Sequence, residues 1–171
     1  MLWLYSLISV ITNALIFPLE FNATVTHISS DDNSTMAWSY SVKNNATFAN
    51  YLTTPAYMTE TTNYTRNRES VVFQHDSSGD LLCIWYETDY PSLKTIIPDV
   101  ELFTYNDTDY LWGKWVTQWV RTGEIYYTDV DGMPVRWYNG LQDLWIYDNV
   151  TSVDSWPSDT FLVTIPCIYG G

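Results

Sequence analysis

Chemistry in this 171-residue chain has few places to start. The two histidines, His27 and His75, each stand alone in strand-like surroundings, where a local hydrogen bond explains an imidazole more often than proton transfer does. The sequence contains no Gly-x-Ser-x-Gly elbow, His-Glu-x-x-His pair, phosphate-cradling glycine loop or Cys/His metal cluster. An acid and base for glycoside hydrolysis would have to come from the 20 Asp and Glu, and no spacing among them selects a pair. The expectation is a protein without catalytic residues, resident metal or cofactor.

Asp129-Val-Asp131-Gly132 opens like a calcium loop, but it lacks an earlier oxygen ligand and a closing Glu. It reads instead as a tight hairpin turn with Asp-Gly at its tip. Surface carboxylates such as Asp107, Asp109, Asp148 and Asp154 could hold calcium weakly without leaving a motif. Arg136 is one of only seven cations and lies between Val135 and Trp137. It is expected to meet a carboxylate or stack on an aromatic ring, an ion pair being preferred to a ligand contact.

The aromatic load is the stronger functional signal. Nine Trp and fourteen Tyr exceed what a small core needs, and their N–H and O–H groups require partners when buried. Trp38, Tyr40, Trp85, Trp115, Trp119, Tyr126 and Trp137 fall on expected strands and could share one concave face. Three readings follow: a cavity for a hydrophobic small molecule or lipid, an interface in an extracellular coat or filament, or a solid aromatic core.

The compartment is legible in other residues. Six glycosylation triplets begin at Asn22, Asn33, Asn45, Asn63, Asn106 and Asn149, a high density for a cytosolic chain. Cys83 and Cys167 are most simply one disulfide in an oxidising compartment, a free buried pair being the alternative. Residues Met1 to Ala14 form an uncharged apolar run ending in small or polar residues, which suits a secretory signal despite the missing basic start. A buried N-terminal strand or helix is the alternative. The run is shorter than the roughly 20 residues of a membrane-spanning helix, and no other stretch approaches that length. The expected organisation is a signal over 1–14 and one β domain over 15–171, secreted and glycosylated. A net charge of -13 argues against nucleic acid or anionic membrane as partners, since both require a basic surface.

The positioning elements are mostly strands. Met36, Trp38, Tyr40 and Val42 alternate with smaller or polar residues, the period of a sheet with one buried face. Further strands are expected at Glu20 to Ile28, Glu69 to His75, Leu81 to Tyr86, Val100 to Tyr105, Lys114 to Arg121, Glu124 to Val130, Val135 to Tyr138, Gln142 to Tyr147 and Thr160 to Ile165. Turns are expected at Ser78-Gly79-Asp80, Thr122-Gly123, Asp131-Gly132 and Asn139-Gly140, and loops at Ser29 to Thr35 and Thr59 to Arg68. Trp112, Trp115, Val116, Trp119 and Val120 also fit helical spacing, but aromatic and β-branched content favours a strand.

Glu124-Ile-Tyr-Tyr-Thr-Asp-Val-Asp-Gly-Met-Pro-Val-Arg-Trp137, with the later Asp159-Thr-Phe-Leu-Val-Thr-Ile-Pro-Cys167, resembles the closing portion of ependymin-related and LolA-like secreted proteins. The resemblance extends over Leu81 to Cys167 and weakens towards its start. It implies a curved antiparallel sheet, a half barrel or two-sheet sandwich, over an apolar cavity. It also implies hydrophobic ligands, dimers in some members and calcium binding in ependymin-type ones. Ependymins carry more cysteines than the two present here, so functions tied to that framework are not implied.

Overall fold

The computed structural model describes residues 15, 17–30, 33–53, 58–74, 79–87, 98, 100–140 and 143–170. The signal-like run 1–14 and His75 lie outside them. The described strands are β1 (Glu20–Ile28), β2 (Asn33–Ser41), β3 (Ala46–Tyr51), β4 (Met58–Asn63), β5 (Arg68–Gln74), β6 (Leu81–Glu87), β7 (Thr104–Leu111), β8 (Lys114–Arg121), β9 (Glu124–Asp129), β10 (Pro134–Asn139), β11 (Asp143–Ser152) and β12 (Ile168–Tyr169). They form one sheet in the order β12-β6-β5-β4-β3-β2-β1-β11-β10-β9-β8-β7. Every pairing is antiparallel except the short β12–β6 contact. The all-β class and the curved antiparallel sheet are as the sequence implies, and Lys114–Arg121 is a strand rather than a helix.

Two meanders, β1 to β6 and β7 to β11, meet where β1 pairs with β11. A bulge at that seam, between Asn22 and Thr24, lies opposite Asn149, whose φ is 52°. Bulges increase local twist, and twist lets a wide sheet curl. The curl is evident because Glu69 of β5 and Trp137 of β10 line the same cavity. Six strand steps separate β5 from β10, about 29 Å in a flat sheet.

On the concave side the core gathers Phe21, Val25, Met36, Trp38, Tyr40, Tyr126, Trp137 and Tyr147. Phe17, ahead of β1, stacks on Tyr126 at 6.2 Å and meets Tyr40 edge-on at 5.5 Å. Phe103, after a 3-10 turn at Val100–Leu102, packs against Tyr126 from the other side. These contacts fill one end of the concavity. On the convex side Val116, Tyr127 and Val135 make a second, smaller cluster.

Several sequence expectations are corrected. Loops expected at Ser29 to Thr35 and Thr59 to Arg68 give way to β2 from Asn33 and to β4, because threonine suits a pleated surface and Thr61 and Thr62 are buried there. The strand expected from Val100 starts only at Thr104 and runs through Asn-Asp-Thr-Asp to Leu111, a polar run tolerated because β7 is an exposed edge. Thr160 to Ile165 is not a strand. It belongs to a strap that leaves β11, anchors through Val153 N–H to the Glu20 carbonyl and Trp156 Nε1–H to the Glu20 carboxylate, and lies beside Thr61 and Ser70 on the convex face. Arg136 stacks over Trp112 at 3.8 Å, the aromatic contact that the sequence offered as one of its two expected environments.

The turn at Asp131-Gly132 forms as expected. The Asp129 carboxylate accepts from Asp131 N–H at 3.0 Å and Met133 N–H at 2.9 Å, and Gly132 takes φ 81°. A further tight turn at Trp112-Gly113, with φ 53° and 81°, carries no Asn-Gly or Asp-Gly signal.

The Cys83–Cys167 disulfide ties the strap to β6 across a separation of 84 residues. In the chain-entropy model closing such a loop stabilises the fold by about 4.5 kcal/mol. Replacing both cysteines by serine is expected to lower the unfolding free energy by roughly that amount. Urea titration of both forms measures it; a difference below about 1 kcal/mol would mean the strap is held without the bond.

Candidate functional site

Register places the concave residues in rows. Through direct pairings one row runs Tyr105, Trp119, Tyr126, Trp137, Trp145, His27 and Ser34, from β7 to β2. Aromatic cross-strand neighbours stabilise such a row and keep its rings in contact. Tyr105 lies 6.1 Å from Trp119, Trp137 is 6.5 Å from Trp145, and Trp145 stacks on His27 at 4.2 Å. A second row on the same face, beyond the one through Val25, Met36 and Tyr51, runs Ala23, Trp38, Ala49, Glu60, Val71 and Ile84. Small Ala49 between Trp38 and Glu60 leaves space where a larger side chain would fill it.

That space is a cavity of about 410 Å³, within the range of small-molecule sites. Trp38, Trp137, Trp145, Met36 and Ala49 form its apolar wall, and Tyr51, Glu60, Glu69, His27, Asn139 and Asp143 its polar part. Among the described residues its lining holds no lysine or arginine. Glu60 accepts hydrogen bonds from the Tyr51 hydroxyl at 3.0 Å and the Thr62 hydroxyl at 3.4 Å. Burial pushes the Glu60 carboxyl above the ordinary carboxylate range, and these two hydrogen bonds pull the other way without overcoming it.

His27 Nε2 lies 3.6 Å from the Asp143 carboxylate, outside hydrogen-bonding distance, and is buried without a hydrogen-bond partner. Ser34 sits opposite His27, so serine, imidazole and carboxylate neighbour one another. The carboxylate lacks the hydrogen bond that would orient the ring as a base. The indole of Trp137 is held by its Nε1–H donating to Glu124 at 3.0 Å, and that of Trp119 by Thr128 at 3.1 Å. Among the described residues no group of three or more His, Cys, Asp and Glu is placed to hold a metal.

Of the aromatic residues singled out in the sequence, Trp38 and Trp137 line the cavity. Tyr40, Trp119 and Tyr126 join the same packed cluster beside it. Trp115 shares the face of Trp119 by alternation but is 58% exposed at the far end, against Tyr110. Trp85 belongs to the opposite face, stacked by Arg68 at 4.8 Å and against Tyr169. Sequence reasoning missed Trp145, Tyr51, Glu60 and Asp143, and treated His27 as an ordinary strand residue. Alternation from Tyr147 to Trp145 carried a signal for one of these, whereas Glu60 lay within an expected loop.

No protein-family model and no curated protein matches the chain. Among solved structures it is similar to PNGF-II, at 8% identity over 88% of this chain with a TM-score of 0.40. The chain spans 31% of the length of PNGF-II. It is similar to an uncharacterized conserved protein from Thermus thermophilus, at 9% identity over 88% of this chain and 90% of that one, TM-score 0.48. It is also similar to MucB, solved in complex with MucA(peri), at 12% identity over 84% of this chain and 54% of that one, TM-score 0.46. None of these likenesses bears on ligand or activity, and none is to an ependymin.

The raised Glu60 carboxyl has a consequence for stability. Between the unfolded-state pKa and the higher folded-state one, the native protein binds more protons, so Glu60 takes stability away as pH rises. Glu60→Gln is therefore expected to unfold at a higher temperature than the parent near pH 7, and to lose that advantage near pH 4. Calorimetry at both pH values checks this; a difference independent of pH would show that the carboxyl is not desolvated.

Proposed function

We propose that the chain is a secreted binding protein rather than an enzyme, and that it holds an apolar-bodied small molecule or lipid against its concave face. The observation that carries this reading is the cavity of about 410 Å³ walled by Trp38, Trp137 and Trp145, with Ala49 in its lining. A site built from indole faces supplies large apolar contact, and fixed rings limit the entropy lost on binding. The LolA-like resemblance over Leu81 to Cys167, with its implied hydrophobic ligands, favours the same reading.

Secretion is supported by the signal-like start, the sequons and the disulfide. Among the described residues no helix is long and apolar enough to cross a membrane. Asn22, Asn33 and Asn106 are exposed, and strand alternation turns all three to the convex side. Asn149 is exposed in the bulge, whereas Asn45 and Asn63 are half-buried. Glycans at the convex positions leave the cavity mouth uncovered.

A second reading, assembly into an extracellular coat or filament, is favoured by Tyr105, Tyr110 and Trp115, all more than half exposed beside the free edge of β7. Aromatic residues on an open sheet edge are suited to a dimer or larger array.

The two readings separate on the Ala49→Leu variant. Its three added carbons displace ligand hydrocarbon worth ~0.8 kcal/mol per CH₂, which weakens binding of the neutral probe N-phenyl-1-naphthylamine by more than about tenfold while the fold persists. Probe fluorescence measures this. An unchanged affinity would place the apolar site elsewhere, and an empty chain that sediments only as large ordered assemblies would favour the second reading.

A further inference from the structure

We propose that the cavity selects a ligand with a positively charged nitrogen, an organic ammonium, seated against Glu60 with its hydrocarbon body along Trp38, Trp145 and Trp137. This rests on the reading of the cavity as an apolar-ligand site and goes beyond it by naming the charge.

The polar part of the lining is acidic. Glu60, Glu69 and Asp143 face the cavity, His27 is the basic group among them, and it lies beside Asp143. A fatty carboxylate entering this space meets like charge in a medium of low dielectric, which disfavours it. A neutral alcohol or ester leaves Glu60 with its hydrogen bonds from Tyr51 and Thr62 but offers no countercharge. An ammonium supplies one. Among the described residues no lysine or arginine lines the cavity beside the half-buried Glu60, so its desolvated carboxylate costs stability that a cationic ligand would offset.

The geometry suits the group. Trp38 and Glu60 flank Ala49 on successive strands, so their backbones are about 10 Å apart with only a methyl between them. A trimethylammonium in the cavity beside the buried Ala49 would have the carboxylate on one side and an indole on the other, whose ring quadrupole attracts it. The remaining indoles continue along the cross-strand row away from Glu60 and offer an apolar track for a chain. The net charge of -13 draws cations towards the protein before they reach the site.

The test is isothermal titration of the disulfide-bonded chain with octyltrimethylammonium, octanol and octanoate, below their aggregation limits and at 0.15 M salt, where the Debye length of about 8 Å screens surface attraction. The cation is expected to bind at least about tenfold tighter than octanol, with octanoate weakest. In Glu60→Gln the cation should lose that advantage while octanol binds as before, and in the exposed control Glu101→Gln the advantage should persist. Octanol equal to or tighter than the cation would overturn the charge assignment and leave the apolar-ligand reading standing. A preference that survives Glu60→Gln, or disappears in Glu101→Gln, would overturn the placement at Glu60. Binding of none of the three probes would remove the apolar-ligand reading itself.

Discussion

The antiparallel pairing of β1 with β11 is the constraint on which the rest of this structure depends. It joins residues near Phe21 to residues near Ser152, and within the described sheet it alone connects the two meanders. Bringing such distant segments together costs loop-closure entropy before any contact compensates for it. The pairing must also be in one register, because a shift of one residue would turn Phe21, Val25 and His27 outward and Asn22 and Thr24 inward. The bulge at Asn22/Thr24, with Asn149 in a left-handed conformation, marks that register and adds twist where the sheet has to curl. Trp145 meets His27 only because this seam is closed.

Once closed, the sheet treats its two faces differently. One end of the concave face is filled by Phe17, Phe103 and the tyrosines, and burial there holds Tyr126 and Tyr147 protonated. The other end keeps a cavity whose lining includes Glu60, Glu69, His27 and Asp143, an arrangement that stability alone would not favour. The convex face carries the sequons at Asn22, Asn33 and Asn106 and the strap. The strap covers Thr61 and Ser70, both buried although they point away from the main core. The concave core buries only the inner face, and the disulfide and the Glu20–Trp156 contact hold a separate cover over part of the outer one.

The outer edge at β7 is managed rather than hidden. Asp107 and Asp109, a bulge between Tyr105 and Asp107, and the sequon at Asn106 are devices that discourage edge-to-edge pairing. They sit beside the exposed aromatic residues Tyr105, Tyr110 and Trp115. At the opposite edge β12 and the disulfide occupy the flank of β6.

Local chemistry made much of this legible from residues alone. Alternation of apolar and polar side chains marks β1 and β2 because the strand period is two whatever lies beyond the strand, whereas β6, β8 and β9 are marked by aromatic and β-branched content between turn signals. The Asp131-Gly132 turn follows from backbone sterics, and the cysteine pairing from the oxidising compartment that the sequence leads one to expect. Where polarity misled, tertiary context was responsible. Threonine-rich β4 and acidic β7 look like loops until neighbouring strands, or an edge position, make their polar groups acceptable. Phe-Leu-Val-Thr-Ile looks like a strand until the disulfide lays it across a finished sheet. The cavity was decided by the fold alone. Trp38, Ala49, Glu60, Trp137, Trp145 and Asp143 come from five strands, and only the β1–β11 seam and the curl bring them around one space. Side-chain type is a property of each residue, whereas the volume left between side chains is a property of the register and curvature of the whole sheet.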